Sequence, residues 1–260
     1  MTLRVALIGV TGRMGHALLA ALPQFPQLTL HAAVTNEGHP DVGSLVHGVA
    51  ISTDLPAALQ GADVAIDFSS AAVASEHLQA CANAGVALLM GTTGLAEEVQ
   101  AQIDAAALRI PVIVAANTSL ALNVLLALVR RAAAALPADY DIEIYEAHHR
   151  HKVDAPSGTA LALGRAAADG RGVSLPQDIT PTGSAPGPRL PGSIGFAVVR
   201  GGDVVGEHDV RFLGQGEQLH LGHVATDRSI FARGALTGAL WLAAQPSGRY
   251  EMSDVLSINT

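Results

Sequence analysis

Residues 3–15 read LRVALIGVTGRMG. The run at residues 3–9 is apolar enough for a buried strand, and an Ala/Leu-rich segment typical of a helix follows the third glycine. Gly9 and Gly12 would allow a tight turn and a close approach to a pyrophosphate at the helix N-terminus, and Gly15 would let the helix pack on the sheet. A second strand is predicted at residues 28–34, and this context favours dinucleotide binding over an ordinary tight turn.

Strands and helices continue to alternate as far as residue 136. The predicted strands cover residues 64–68, 86–90 and 112–115, and the predicted helices cover residues 71–84, 96–108 and 120–136. Repeated βα units form a parallel sheet, and ligands of such sheets bind at the carboxyl ends of the strands. Polar or glycine-rich loops follow three of these strands, at residues 67–70, 91–94 and 115–119. We expect these loops to line the nicotinamide half of a cofactor site.

A second, smaller domain is predicted after residue 136, where the pattern changes. It contains a strand at residues 141–147, a helix opened by Ser157 or Asp154, a Pro/Gly-rich loop at 171–191, and strands at 193–200, 207–213 and 218–225. The last helix, at residues 229–244, is expected to return and cover the first domain. The predicted fold class is α/β. A Rossmann-type parallel-sheet dinucleotide-binding domain (1–119, completed by 229–260) precedes a smaller α+β substrate and oligomerisation domain (120–228).

The composition and net charge of the chain indicate which classes of binding partner are disfavoured. The net charge of −8 and the lack of any Lys/Arg block speak against nucleic acid and anionic membranes. The longest apolar stretch, residues 120–129, is shorter than the ~20 residues that span a bilayer, so no membrane segment is expected. The N-terminal run lacks a signal-peptide pattern. One cysteine, Cys81, cannot form an internal disulfide and is predicted to be a small buried hydrophobe, which suits the cytoplasm.

Residues 146–160 read EAHHRHKVDAPSGTA and contain the only lysine, Lys152, of a chain with fourteen arginines. An ammonium can give up its proton when burial or neighbouring cations lower its pKa, whereas a guanidinium effectively cannot. The surrounding His148, His149, Arg150 and His151 would be such cations. The alternative is that one lysine survived a drift toward arginine. Because a helix start with free backbone N–H groups at residues 157–159 follows, we favour an acid/base centre beside a carboxylate or phosphate pocket.

With these motifs in place, the sequence resembles the 4-hydroxy-tetrahydrodipicolinate reductases, also called dihydrodipicolinate reductases, of the bacterial diaminopimelate and lysine pathway. EAHHRHKVDAPSGTA carries most of the resemblance, and GVTGRMG, DFSS, GTTG and PGSIGFAVVRGGDVVGEHDVRF support it along the whole chain. The resemblance implies a nucleotide-binding domain and a substrate domain that also forms a homotetramer through its sheet. It further implies hydride transfer from NADH or NADPH to a cyclic unsaturated dicarboxylate after loss of water.

The resemblance also implies roles for individual residues. His148 is expected to be a proton donor and acceptor and Lys152 a proton donor. Substrate contacts are expected from His149, Gly158 and Thr159, to which the predicted helix start adds Ser157. The expected cofactor contacts are Gly9, Val10, Thr11, Gly12, Arg13, Met14, Gly91, Thr92, Thr93, Ala115, Ala116, Asn117 and Thr118.

Cofactor preference depends on the residues that end the second strand. An acid there favours NAD, and a nearby arginine accommodates the 2′-phosphate of NADP. This chain has Thr35 and Asn36 instead, so we expect both NADH and NADPH to bind there and to be used.

The loop at residues 117–121 reads NTSLA, where the family usually has Asn-Phe-Ser followed by a small residue and Gly. The cofactor-side loop and the hinge between the domains are therefore expected to differ from the family pattern.

Two other functions are compatible with a dinucleotide-binding fold. One is a non-catalytic NAD(P)-sensing regulator, and the other is a different amino-acid-pathway dehydrogenase of related fold. Neither accounts for HHRHK shortly before the SGTA helix start. A metal site made by His148, His149 and His151 is disfavoured, because only alternate residues of a strand point the same way and no cysteine is near. No metal is predicted.

Overall fold

The computed structural model describes residues 2–176 and 188–258; part of the predicted Pro/Gly-rich loop, residues 177–187, lies outside them. The strands are Leu3–Ile8 (β1), Leu28–Val34 (β2), Leu45–Val46 (β3), Val49–Ser52 (β4), Val64–Asp67 (β5), Ala87–Met90 (β6), Pro111–Val114 (β7), Asp141–His148 (β8), Ile194–Arg200 (β9), Gly206–Leu213 (β10), Gln218–Ala225 (β11) and Gly248–Tyr250 (β12). The α-helices are Arg13–Ala21 (α1), Leu55–Leu59 (α2), Ala74–Ala84 (α3), Glu97–Ala107 (α4), Leu120–Ala135 (α5), Gly158–Arg171 (α6), Ser229–Leu242 (α7) and Met252–Val255 (α8). Single 3₁₀ turns precede β2 and α3, at Leu22–Gln24 and Ala71–Val73.

The chain divides into two compact units. The first unit comprises Met1–Leu120 and Ser229–Ser257, and the second comprises Ala121–Arg228 with Ile258–Thr260. The long predicted strands and helices of both units are confirmed to within a few residues at their ends. The short elements β3, β4, α2, β12 and α8 were not predicted.

The first unit is built on an eight-stranded sheet of order β12-β7-β6-β5-β1-β2-β4-β3. All neighbours are parallel except β3 and β4, which form an antiparallel pair at one edge. Successive side chains of β1 point to opposite faces, so Leu7 enters a core with α1 and α7, and Ile8 enters a core with α2, α3 and α4. Both faces are covered, as expected for a parallel sheet, and the predicted α/β class is confirmed.

Two glycines allow α7 to pack closely in the first unit. A Cβ on Gly234 would lie 1.8 Å from the carbonyl oxygen of Thr118, and one on Gly238 would lie 2.8 Å from Leu89 of β6. The hydroxyl of Thr118 donates a hydrogen bond of 2.7 Å to the carbonyl of Phe231 in α7. The loop after β7 is therefore tied to α7, 113 residues later in the chain.

The second unit contains a mixed four-stranded sheet of order β11-β10-β8-β9. Strand β8 is antiparallel to β10 and parallel to β9. One face carries Ile144, Phe196, Val210 and Phe212, which are fully buried against α5 and α6. Because β8 runs directly into the loop before α6, the end of the strand and the start of the helix bring the EAHHRHKVDAPSGTA residues together.

Two further expectations concern buried and apolar segments. Cys81 is a free thiol buried in α3, as predicted, and burial raises its pKa to about 12. Within residues 2–176 and 188–258, no helix combines the length and the apolar character needed to cross a membrane.

Candidate active site

A cavity of about 400 Å³ lies in the first unit, at the carboxyl ends of the sheet strands. It is bounded by the loops that follow β1, β5, β6 and β7, which are the loops predicted to line a cofactor site. Its lining residues are Arg13, Met14, Phe68, Ser69, Gly91, Thr92, Thr93, Ala116, Asn117, Thr118 and Phe231. Phe231, from the start of α7, was not predicted, because nothing in its local sequence connects it with loops more than 100 residues earlier.

The glycines of this region leave room for backbone to approach closely. Gly9 has a φ of +80°, and a Cβ there would lie 2.8 Å from the carbonyl oxygen of Phe68. A Cβ on Gly15 would lie 2.2 Å from the carbonyl of Val10, and one on Gly91 would lie 2.1 Å from the ring of Phe68. These close contacts require glycine at all three positions. They hold the β1 loop, the start of α1 and the β6 loop in the arrangement that a dinucleotide-binding strand–turn–helix unit needs.

Polar groups that point to a ligand are also present. The hydroxyl of Thr92 is buried in the cavity wall and has no hydrogen-bond partner within the described part of the chain. Helix α1 begins after Gly12, whose side chain cannot cap the first backbone N–H groups. Unfilled donors at a helix start suit a phosphate, so this region fits the phosphate and nicotinamide parts of a dinucleotide.

Four of the expected cofactor contacts need correction or restriction. Val10 and Ala115 face the core, and their N–H groups donate to the carbonyls of Val34 and Met90, so these N–H groups are not available to a ligand. The hydroxyl of Thr35 is buried and lies 2.7 Å from the hydroxyl of Thr11, so each already has a partner.

Asn36, the neighbour of Thr35, is exposed at the end of β2. Its amide donates only a 3.3 Å bond to the carbonyl of Glu37. Asn36 is therefore the more available of the two polar side chains predicted to meet the adenosine ribose.

The second unit gathers a different set of charged groups around Glu146, whose side chain is fully buried at the end of β8. Arg200 donates from Nη2 to Oε1 at 2.8 Å and from Nη1 to Oε2 at 3.1 Å. The backbone N–H of Ser157 donates to Oε1 at 2.9 Å, and Nδ1 of His148 is hydrogen-bonded to Oε2. Burial raises the pKa of Glu146, but Arg200, Ser157 and His148 outweigh it and lower the pKa overall. Glu146 is therefore ionised at neutral pH.

His148 and His208 are both held in the neutral form. Burial lowers the pKa of His148, and the charges of Lys152 and Arg200 add to this, against the opposing effect of Glu146. Burial lowers the pKa of His208 to about 4. The two rings meet edge to face with centroids 5.1 Å apart, and Nε2 of His208 lies 3.2 Å from the hydroxyl of Ser157.

Lys152 lies in the loop between β8 and α6, with about a fifth of its side chain exposed. Its Nζ lies 2.9 Å from the carboxylate of Asp154. The ion-pair partner of the ammonium is thus an acid, which the sequence did not predict. Of the expected neighbours, His148 is near enough for the charge of Lys152 to lower its pKa. His149 is half-buried, and its Nδ1 is a buried atom without a hydrogen-bond partner among the described residues.

The predicted helix start is confirmed, and the predicted anion site needs one correction. The hydroxyl of Ser157 caps α6 by accepting a 3.1 Å bond from the N–H of Ala160. The N–H of Ser157 is not free, however, because it donates to Glu146. Ser157 is only 1% exposed, so the anion-binding role predicted for it is wrong. Gly158 is exposed, and a Cβ there would meet nothing within 4 Å.

Glu146, His148 and His208 offer ligand atoms that lie within 4.8 Å of one another. This spacing alone would suit a metal ion. The carboxylate already accepts hydrogen bonds from Arg200, Ser157 and His148, and a guanidinium beside it would repel a cation. The cluster is therefore a hydrogen-bonded network. His149 and His151 lie outside it, with their own rings 6.3 Å apart.

Two family models match the chain: dihydrodipicolinate reductase, N-terminus, over residues 3–118, and dihydrodipicolinate reductase, C-terminus, over residues 121–256. The chain is 47% identical to the 4-hydroxy-tetrahydrodipicolinate reductase of Roseobacter denitrificans, over 98% of this chain and 97% of the relative. It is 48% identical to the protein of the same name from Zymomonas mobilis, over 99% of this chain and 98% of the relative.

The chain belongs to the dihydrodipicolinate reductase family. The family predicted from the motifs is thus confirmed. A solved dipicolinate-bound dihydrodipicolinate reductase from Paenisporosarcina sp. TG-14 superimposes with a TM-score of 0.79 at 25% identity, covering 96% of this chain and 98% of the other. A probable dehydrogenase from Thermotoga maritima, at 13% identity and a TM-score of 0.64, shares the fold.

Three residues of the site in the second unit were not given a role from the sequence: Glu146, Arg200 and His208. Glu146 carried a detectable signal, because it continues the inward-facing series of Ile142 and Ile144 in β8 and is charged where burial is expected. His208 carried the same kind of signal, because it continues the inward-facing series of Val210 and Phe212 in β10, whereas Arg200 ends β9 and is only partly buried. They reach the site only through the pairing of β9 and β10 with β8.

Proposed function

We propose that the chain reduces 4-hydroxy-tetrahydrodipicolinate, with loss of water, to tetrahydrodipicolinate in diaminopimelate and lysine biosynthesis. The observation that carries the proposal is the similarity to 4-hydroxy-tetrahydrodipicolinate reductases along almost the whole length of both proteins. The sequence pattern that distinguishes the site, EAHHRHKVDAPSGTA, lies within that similarity.

NADH or NADPH is the proposed hydride donor. The residues that would hold it are those of the glycine loop and of the cavity wall in the first unit, above all Arg13, Thr92, Thr93 and Asn117. The bound reduced nicotinamide supplies a hydride to the substrate ring. A ring that gains a hydride also needs a proton at the atom that becomes electron-rich, and the protein must provide it.

We assign that proton to Lys152, because its side chain is partly exposed and an ammonium can give up a proton, which a guanidinium effectively cannot. His149, with an unpartnered Nδ1, and the helix start at Gly158 and Thr159 are the proposed contacts for the substrate carboxylates. His148, neutral and held through Nδ1, is proposed to accept and pass on protons at Nε2. These roles fit a dicarboxylate substrate that must be both held and protonated.

The two domains are proposed to divide these tasks: 1–119 with 229–260 binds the dinucleotide, and 120–228 binds the substrate and assembles a homotetramer. Support for the assembly comes from the sheet face of the second unit that does not carry the Phe196 and Phe212 core. Tyr145, Ala197, Val199 and Val224 lie on that face, and Val199 and Val224 are exposed. Light scattering on the purified protein would give the number of subunits.

A cytoplasmic location is proposed because the single thiol is buried and forms no disulfide.

The decisive experiment follows NADH and NADPH absorbance while 4-hydroxy-tetrahydrodipicolinate is produced in the cuvette by its synthase. Oxidation that depends on both substrate and protein is the expected result. A folded protein that binds the dinucleotide without oxidising it would support a regulator instead. Oxidation with a different amino-acid-pathway substrate, and none with this one, would support the related dehydrogenase.

A further inference from the structure

The hydrogen bond between Glu146 and His148 determines which nitrogen of the imidazole carries the proton. An ionised carboxylate can only accept hydrogen bonds. Glu146 is ionised, since Arg200 and the N–H of Ser157 both donate to it. Nδ1 of His148 must therefore be the donor in this pair. In a neutral imidazole the other nitrogen, Nε2, then has a free lone pair.

The second nitrogen of His148 is left accessible by the chain around it. No hydrogen-bond partner for Nε2 is found in the described part of the second unit. A Cβ added to Gly206, at the start of β10, would lie only 3.1 Å from Nε2, so the glycine keeps this side of the ring uncrowded. His208 packs edge to face on the ring and is itself neutral, so it adds no charge here.

Arg200 makes hydrogen bonds to Glu146 and none to the imidazole, whose pKa its charge nevertheless lowers. Both of its terminal nitrogens donate to the carboxylate, and Nη2 also donates to the carbonyl of Asp154 at 2.7 Å. A bidentate guanidinium fixes the plane of a carboxylate and keeps it ionised. The direction of the bond from His148 is thus set by two groups, one from β9 and one from the helix start.

We propose that Glu146 and Arg200 are positioning residues that hold His148 as its Nδ1–H tautomer and so reserve Nε2 for proton exchange in the active site. Only the expected effect of this tautomer on the rate of reduction rests on the proposed reductase function. Histidine tautomers set by a buried acid are a recurring feature of acid/base sites. The tautomer itself can be measured without turnover.

The test is nitrogen-15 NMR of histidine-labelled protein, with the His148 signals assigned by their loss in His148→Gln. In the unaltered protein, Nδ1 should show the shift of a protonated nitrogen and Nε2 that of a lone-pair nitrogen. Glu146→Gln should populate the opposite tautomer and lower the pKa of His148, because a negative charge is lost. Arg200→Gln should raise that pKa, because a positive charge is lost. A purely structural defect would not produce shifts of opposite sign.

Glu143→Gln is the matched control. Glu143 lies on the same strand, points to the opposite face and also pairs with an arginine, Arg189. It should leave both nitrogen signals of His148 unchanged. Glu146→Asp keeps the charge and should retain the wild-type tautomer, which provides a test if Glu146→Gln does not fold.

Kinetics supply the second readout. If the proposed reductase activity holds, Glu146→Gln should lower kcat by about 10²–10⁴-fold, with a smaller change in KM. His148 signals that stay the same in Glu146→Gln would overturn the inference even if kcat falls. If Glu146→Gln is unfolded, loss of the wild-type tautomer in Glu146→Asp, or a His148 pKa that is unchanged in Arg200→Gln, would overturn it. Should the wild-type protein show no reductase activity, the proposed function fails, and the NMR result still decides the tautomer.

Discussion

Replacing His208 with glutamine should make the protein less sensitive to acid. His208 is 5% exposed, and its pKa is lowered by burial to about 4, from an ordinary value near 6.5. The titratable groups around it are His148, Lys152 and His223, which add to the lowering of its pKa, and Glu146, which opposes it. The unfolded chain therefore binds a proton at this histidine at a higher pH than the folded chain does. Stability is fully present above pH 6.5 and is lost as the pH falls toward 4.

The size of this loss follows from the two pKa values. Proton linkage gives about 2 kcal/mol between pH 7 and pH 5, and about 3 kcal/mol by pH 4. His148 and His223 also have lowered pKa values and contribute in the same direction, so the comparison must be between variants and not between pH values alone. Glutamine does not titrate, and its amide can still reach the hydroxyl of Ser157.

The assay is urea unfolding followed by circular dichroism at pH 7, 6 and 5, at a fixed protein concentration. Wild-type protein should lose about 2 kcal/mol more than His208→Gln between pH 7 and pH 5. His220→Gln is the control, since His220 lies on the neighbouring strand β11 with nearly half of its side chain exposed. Equal losses in the wild type and His208→Gln, within about half a kcal/mol, would refute the idea that burial holds His208 neutral.

Three further predictions concern catalysis. Lys152→Arg should lower kcat by about 10²–10⁴-fold with unchanged NADH affinity, because a guanidinium is a poor proton donor; near-full kcat would make Lys152 an electrostatic anchor. Gly158→Val should raise the substrate KM strongly and leave NADH affinity intact, since there is room for a Cβ and the fold should tolerate it; equal damage to both affinities would indicate misfolding. NADH and NADPH should support turnover within roughly tenfold of each other because Asn36 carries no charge, and steady-state kinetics with a preference beyond about a hundredfold would contradict this.

The parts of the fold that the sequence could predict are those with a strong local pattern. Strands β1 (LRVALI) and β2 (LTLHAAV) are mostly apolar, and α5 repeats its apolar residues at helical spacing, so their positions follow from the hydrophobic pattern. Strand β12 has only three residues, and it is held by pairing with β7 and by the contact of Tyr250 with Trp241, whose ring centroids are 5.2 Å apart. Such tertiary support has no local signature.

The residues of the candidate site also divide into those with a local sequence signal and those without one. Lys152 and His148 could be singled out because their residue types and spacing are unusual in this chain. Arg200 could not, since it lies 54 residues from the carboxylate that it binds. Its position depends on the register between β8 and β9, which places Arg200 directly opposite His148. A register cannot be read from either strand alone, because each is compatible with pairings shifted by two residues.

The correction at Ser157 changes what the helix start can offer to a ligand. The first N–H of that turn already donates to the protein's own buried carboxylate, Glu146, which benefits from the positive end of the helix dipole. A second acid, Asp154, lies close by: burial raises its pKa, but Lys152 and backbone N–H groups, including that of Gly158, lower it on balance. Asp154 is more than half exposed, so unlike Glu146 it can move aside. A substrate carboxylate that binds at the start of α6 would therefore have to compete with Asp154 for both Lys152 and Gly158. When it replaces Asp154, it would interact with the ammonium and with the helix start together.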